Sequence, residues 1–375
     1  MAVGFSGSNG GIAKEYVFFS TSQKVTDIPS SWWYREFYPH FPLQMSFFGN
    51  NHCNLACAHC YADHVGPRFE NLSVDAWCNI VNQGLKLGVR IVGIVGKEPI
   101  ISKSWFQNNT LPMLQHLQRQ KKTLDGVPLL YGLVSNGTRL DSEIGGQLTS
   151  VSIDYLDISL DGNREFHDQV RGTGNFDRTL KGLRSLPEKL LKRVFISFTM
   201  MNGITTDSIL ALVQQVEDIG VKHFLISPYC TAMRIKEDVL YLDQSTFVDM
   251  IERIIDRYQG AMEFLVKTEP LTSKKIMDEL VARKHVDLEK LRVDTYGTLF
   301  TKIPLSDNGS MCFNWYPVPD ISFINQFRLA SNGKVGTCYD MFFPWADRLA
   351  IGNAITESLA DILVRGQKKV WDKAV

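Results

Sequence analysis

Cys53, Cys57 and Cys60 crowd into the stretch Cys53-Asn54-Leu55-Ala56-Cys57-Ala58-His59-Cys60, at C-x-x-x-C-x-x-C spacing. The whole chain has 375 residues and only seven cysteines. Thiolates this close on one loop have the chemistry of metal ligands. Two cysteines separated by two residues can clamp one ion, and a third suits a zinc site or an iron–sulfur cluster. Zinc requires a fourth donor, for which His52, His59 or His64 stand near in sequence. A four-iron cluster held by three cysteines keeps one iron open to a substrate or cofactor. Both readings are open at this point.

The elements that position the loop follow from the apolar pattern. Leu43 to Phe48 reads as a strand leading into it, and Ser73 to about Leu87 as a helix with Ser73 as its N-cap. Strands are expected at Arg90–Val95, Leu129–Val134, Tyr155–Leu160, Arg193–Met200 and Lys222–Ile226. Helices are expected between them, within Ser104–Gln120 and at Ser142–Leu148, Phe176–Leu186 and Thr206–Ile219. Strands alternating with helices imply parallel strands and right-handed crossovers. The expected fold class is α/β, an open partial (β/α)6 barrel of parallel strands with a smaller C-terminal α+β extension.

The domain boundaries expected are 1–42 for an aromatic N-terminal extension or cap, 43–230 for the barrel and 231–375 for the extension. Past Cys230 the β/α rhythm stops. Helices are read at Ser245–Tyr258, Ser273–Leu291 and Thr356–Leu363, and a hairpin turning at Asn332-Gly333.

Parallel α/β folds place their chemistry at the C-terminal strand ends. Here those ends carry the cysteine loop, Gly96-Lys97-Glu98-Pro99, Ser135-Asn136-Gly137-Thr138, Ser159-Leu160-Asp161-Gly162, Met200-Met201-Asn202-Gly203 and Ser227-Pro228-Tyr229-Cys230. Packing alone does not call for polar and glycine residues at six successive strand ends.

Composition narrows the rest. Lys plus Arg equals Asp plus Glu at 40 each, which gives no electrostatic footprint for nucleic acid or an anionic membrane. No apolar run approaches the roughly 20 residues needed to cross a bilayer. Met1 to Ala13 is Gly/Ser-rich and lacks the pattern of a signal peptide. An odd cysteine count without an export signal favours metal or redox chemistry over disulfides, and places the protein in a reducing cytoplasm.

The cysteine loop and its position after the first strand resemble the signature of the radical S-adenosylmethionine (radical SAM) superfamily. Gly96-Lys97-Glu98-Pro99 is similar to that family's Gly-Gly-Glu-Pro, Ser135-Asn136-Gly137 to its Thr-Asn-Gly, and Ser159 to Gly172 to its fourth-strand region. The resemblance implies a [4Fe-4S] cluster on Cys53, Cys57 and Cys60 with one open iron. It implies S-adenosyl-L-methionine contacts from Tyr61 or His59, Gly96, Glu98, Ser135, Asn136, Ser159, Asp161, Arg171 and Asn202. In particular, Glu98 would receive the methionyl ammonium and Arg171 the carboxylate. Reductive cleavage would yield a 5′-deoxyadenosyl radical that abstracts hydrogen from an unactivated carbon, with an external donor such as flavodoxin or ferredoxin.

Cys312 and Gly333-Lys334-Val335-Gly336-Thr337-Cys338 resemble the start of a truncated SPASM/twitch-like domain, which implies an auxiliary iron–sulfur cluster. Cys230 is its candidate third ligand or, alternatively, a hydrogen donor. Cys78 reads as a core residue. The expected function is that of an oxidoreductase or maturase acting on a peptide or secondary-metabolite substrate, giving net oxidation or a crosslink. No winged-helix recognition domain is expected in the 42 residues before the barrel. The alternatives are a redox-neutral epimerase of a peptide or sugar with Cys230 as donor, and a zinc-stabilised binding module.

Overall fold

A computed structural model describes residues 44–60, 71–121, 128–229, 239–267, 270–287, 290–293, 299–306, 308–315, 326–336 and 350–374. The chain divides into two units.

The first unit comprises residues 40–160, 164–195 and 323–375. Its strands are β1 (Gln44–Phe48), β2 (Ile91–Val95), β3 (Leu130–Ser135), β4 (Tyr155–Ser159), β11 (Gln326–Leu329), β12 (Lys334–Gly336) and β13 (Gly352–Asn353). Within this unit the order is β13-β12-β11-β1-β2-β3-β4. From β11 to β4 every pairing is parallel, while β12 and β13 are antiparallel. The expected hairpin is β11–β12, and Gly333 takes φ +85° at its turn, a conformation open to glycine without a Cβ penalty.

The helices lie between the strands as the periodicity requires. Helix α1 (Val74–Lys86) begins at Ser73, whose hydroxyl accepts the Ala76 N–H. It buries Trp77, Ile80, Val81 and Gly84, a stripe of period 3.6. Trp77 packs on Phe47 with ring centroids 4.1 Å apart, so Met45 and Phe47 of β1 face the helical layer. Because side chains alternate along a strand, Gln44, Ser46 and Phe48 face the other side. Next comes a helical stretch from Lys103 to Arg119, with a π turn over Phe106–Thr110. Further helices follow, α2 (Ser142–Ser150), α3 (Arg164–Arg171), α4 (Asn175–Arg184) and the single turn Glu188–Leu191. The C-terminal helix runs from Leu359 to Ala374 and docks on α1 through the Leu359 N–H, which donates to Gln83 Oε1 at 2.9 Å.

The second unit comprises residues 161–163 and 196–322 together with residues 1–39, which lie outside the described residues. Its strands are β5 (Val194–Met200), β6 (His223–Pro228), β7 (Glu263–Lys267), β8 (Arg292–Val293), β9 (Leu299–Pro304) and β10 (Ser310–Trp315), in the order β5-β6-β7-β10-β9-β8. The helix Thr206–Ile219 starts at a capping box on Thr205 and ends at Gly220 with φ +107°. The six expected strands are all present. One more, β7, continues the rhythm past β6 and pairs parallel with it after the helix Gln244–Arg257. The alternation stays hidden at that point in the sequence because Glu263-Phe-Leu-Val-Lys267 carries charges at both ends.

The α/β class with a mostly parallel sheet is therefore as expected. No described helix is long and apolar enough to cross a membrane.

Candidate functional site

The loop after β1 is laced to the loop after β2. The Lys97 N–H donates to Asn50 O and the Glu98 N–H to His52 O, each at 3.0 Å. The buried Asn50 side chain returns a bond from Nδ2 to Glu98 O at 2.5 Å. The far end of the cysteine loop is fixed separately, since the Ala58 N–H donates to Val170 O of α3 at 2.8 Å. Cys57 is buried, and Cys53 and Cys60 are half-buried.

Glu98 joins the second strand end to the third. Its carboxylate is 1% exposed. Oε1 accepts the Ile100 N–H and the Ser135 hydroxyl, both at 2.8 Å, and Oε2 accepts the Asn136 N–H at 2.8 Å. Burial pushes this carboxyl up to about 7 despite those donors, and the Arg171 charge pulls it back down. Arg171, 9% exposed at the end of α3, is thus within electrostatic reach of Glu98. One anion and one cation held this way complement the ammonium and carboxylate of an α-amino acid.

The thiol of Cys53 is pushed up to about 12, first by burial and then by the charge of Glu98. Its sulfur accepts the Leu55 N–H at 3.4 Å and a bond from Asn136 Nδ2 at 3.8 Å. A thiolate in such a place calls for a positive centre to compensate it, which a metal group supplies. No three His, Cys, Asp or Glu side chains among the described residues converge as a single-ion site. A four-iron cluster does not require convergence on one ion, because each thiolate binds a different iron. Three thiols on one loop, with N–H donors on one sulfur, fit that group.

The other expected residues divide by location. Gly96 lies against Phe48, whose ring would meet a methyl group there at 3.0 Å. Half-buried Ser159 ends β4, and half-buried His59 lies within the cysteine loop. In the second unit, Asp161 is fully buried and accepts the Thr199 N–H at 2.8 Å. Exposed Asn202 donates from Nδ2 to Val239 O at 3.0 Å. Cys312 lies on β10 opposite Leu265 of β7 and Lys302 of β9. Tyr61, Cys230 and Cys338 lie outside the described residues. Cys78 is on α1, away from the cysteine loop in sequence, and burial raises its thiol.

One polar row is not among the residues expected from the sequence. Register partners place Arg328, Ser46, Gly93, Gly132 and Tyr155 side by side across β11, β1, β2, β3 and β4. They share the face opposite the helices. The Tyr155 ring lies across both glycines: a methyl group at Gly132 would meet the ring at 2.7 Å, and one at Gly93 would meet the hydroxyl at 2.8 Å. Asp157, two residues along β4, shares this face and is fully buried, as Arg328 nearly is. The signal was legible. Strands buried on both faces read as continuous apolar runs, yet Gln44-x-Ser46, Tyr155-x-Asp157-x-Ser159 and Gln326-x-Arg328 alternate.

Comparison with known proteins places part of the chain beside one enzyme superfamily. Residues 49–216 match the model of the Radical SAM superfamily. The chain is 35% identical over 150 residues to Fe-coproporphyrin III synthase of Methanosarcina barkeri, covering 40% of this chain and 34% of that protein. It is 31% identical over 137 residues to the mycofactocin maturase MftC of Mycolicibacterium smegmatis, covering 36% and 31%. It thus spans about a third of the length of each. Among solved structures, the fold resembles Streptococcus suis SuiB bound to S-adenosylmethionine, with TM-score 0.61 and 15% identity over 88% of this chain and 68% of SuiB. A radical SAM domain is an enzyme domain, and its cofactors are a [4Fe-4S] cluster and S-adenosylmethionine.

Proposed function

We propose that the chain is a radical SAM oxidoreductase or maturase whose substrate is a peptide or a secondary metabolite, with net oxidation or a crosslink as the outcome. The observation that carries this reading is the joining of three successive strand-end loops. The cysteine loop is bonded to the Glu98 loop, and the Glu98 carboxylate to Ser135 and Asn136. Cys53, Cys57 and Cys60 hold the cluster. When bound, cluster and cofactor together supply a hydrogen-abstracting radical.

The chain's own residues bind, orient and exclude water. Glu98 keeps an acceptor position on Oε2 for the methionyl ammonium, since three of a carboxylate's four lone-pair sites are occupied. Arg171 takes the carboxylate, and Ser159 at the end of β4 adds a hydroxyl. The burial of Glu98 and Arg171 strengthens both contacts by lowering the local dielectric. An external one-electron donor of the flavodoxin or ferredoxin type completes the reaction. The fold's resemblance to SuiB, which is also solved bound to its precursor peptide SuiA, supports a peptide substrate.

The test is anaerobic. The 375-residue chain reconstituted with iron and sulfide, then reduced with dithionite in the presence of S-adenosylmethionine, is expected to release 5′-deoxyadenosine. The variant with Cys53, Cys57 and Cys60 all changed to Ala should release none. A wild type that binds zinc, stays colourless and forms no 5′-deoxyadenosine would sink the reading. Net oxidation further expects iron to persist in the triple variant, on a second cluster; an iron-free triple variant rules out that part.

A further inference from the structure

Asn136 is held at every polar atom. Its N–H donates to Glu98 Oε2 at 2.8 Å, and its carbonyl accepts the Thr179 hydroxyl at 2.9 Å. Its side chain belongs to a closed ring of three. Asn54 Nδ2 donates to Thr138 Oγ1 at 2.9 Å, Thr138 Oγ1 donates to Asn136 Oδ1 at 2.6 Å, and Asn136 Nδ2 donates to Asn54 Oδ1 at 3.0 Å. The Thr138 backbone N–H also donates to Asn136 Oδ1, at 3.0 Å. A backbone N–H can only donate, so that atom must be the oxygen and the amide cannot be flipped. The NH2 group is therefore turned toward Cys53, with Nδ2 3.8 Å from Sγ. One amide hydrogen goes to Asn54 and the other to the sulfur. Both Oδ1 lone pairs go to Thr138, so no polar atom of this side chain remains for S-adenosylmethionine.

We propose that Asn136 is a positioning residue that tunes the reduction potential of the iron–sulfur cluster by donating a hydrogen bond to the Cys53 sulfur. The inference rests on the reading that Cys53, Cys57 and Cys60 hold the cluster. Donors to cluster sulfurs stabilise the more negative, reduced state and so raise the potential. The ring with Asn54 and Thr138 holds the donor in place, so it does not have to reorganise when the electron arrives. The Leu55 N–H on the same sulfur acts in the same direction.

The experiment is an anaerobic redox titration of the reconstituted 375-residue chain, followed by electron paramagnetic resonance. Wild type is compared with Asn136→Ala, Asn136→Asp and Thr179→Val. Asn136→Ala removes the donor. It is expected to shift the reduction equilibrium about tenfold toward the oxidised cluster, about 59 mV for one electron. Asn136→Asp keeps the size and the acceptor but turns a negative charge on the sulfur, so its potential falls further. Thr179→Val loosens the backbone of Asn136 without touching the amide and is expected to keep the wild-type potential.

Unchanged potentials in both Asn136 variants, or an equal shift in Thr179→Val, overturn the inference. Iron and sulfide are counted in every sample. A wild type without a cluster refutes the underlying site instead, which separates the two failures.

Discussion

The buried carboxylate of Glu98 accepts the backbone N–H of Asn136 at 2.8 Å, joining the loops after β2 and β3 through one hydrogen bond across 38 residues of chain. Every donor around this carboxylate is fixed: two are backbone groups, and the third is the buried Ser135 hydroxyl. The bond makes Glu98 a strut, in addition to the ligand-binding role proposed for it.

Glu98→Gln tests the strut. The new amide must turn its NH2 toward either the Asn136 N–H or the Ile100 N–H, which sets donor against donor. The expected loss is about 1–3 kcal/mol, the cost of a buried group left unsatisfied. Denaturant unfolding measures it, and a variant as stable as wild type would contradict this bonding.

The same carboxyl sets a pH dependence. Its folded value, about 7, lies above its ordinary value of 4.5. Between those values the folded state binds more protons than the unfolded state, so stability of the ligand-free chain falls as pH rises through that window. In the proposed role S-adenosylmethionine needs the ionised carboxylate, so its affinity is expected to rise as pH passes through about 7. Affinity should then fall again as the cofactor's own ammonium loses its proton near 7.7–8.0, the α-amino range. Equilibrium dialysis from pH 6 to 9 reads both limbs. In Glu98→Gln the lower limb should vanish, and a lower limb that persists would assign it to another group.

Arg171→Lys is not a conservative change in the proposed role. A guanidinium grips a carboxylate with two parallel N–H groups, and an ammonium does not. S-adenosylmethionine affinity is expected to drop about tenfold or more, roughly 1.4 kcal/mol by the usual conversion. Unaltered affinity would remove Arg171 from the carboxylate site.

The Tyr155 row gives a prediction about packing. The Tyr155 hydroxyl is fully buried with no hydrogen-bond partner among the described residues. Tyr155→Phe is therefore expected to stabilise the ligand-free chain by about 1 kcal/mol. Gly132→Ala should fail to fold, because a methyl group there collides with the Tyr155 backbone carbonyl, which cannot yield. Gly93→Ala is crowded by the hydroxyl at 2.8 Å, while Val95 and Ser46 lie at ordinary contact distance, so its cost should shrink in the Tyr155→Phe background. A double-mutant cycle showing no coupling would count against this placement of the ring.

The cysteine spacing, the strand–helix rhythm and the polar strand ends were legible without a structure, because each rests on local periodicity or on the chemistry of a few adjacent residues. Ser73 as N-cap and the helix Thr206–Ile219 came directly from such local signals. Strand β7 did not, since Glu263 and Lys267 mask its apolar centre. Local pattern puts Glu98 and Asn136 at strand ends and the family resemblance suggests their roles, but neither tells how they are bonded. Only the fold brings residues 54, 98, 136 and 138 together, and it decides that the Asn136 amide is spent on Asn54 and Cys53. The row from Arg328 to Tyr155 is likewise a product of register. It joins five strands drawn from nearly 300 residues of chain, and strand register between distant segments is set by tertiary packing.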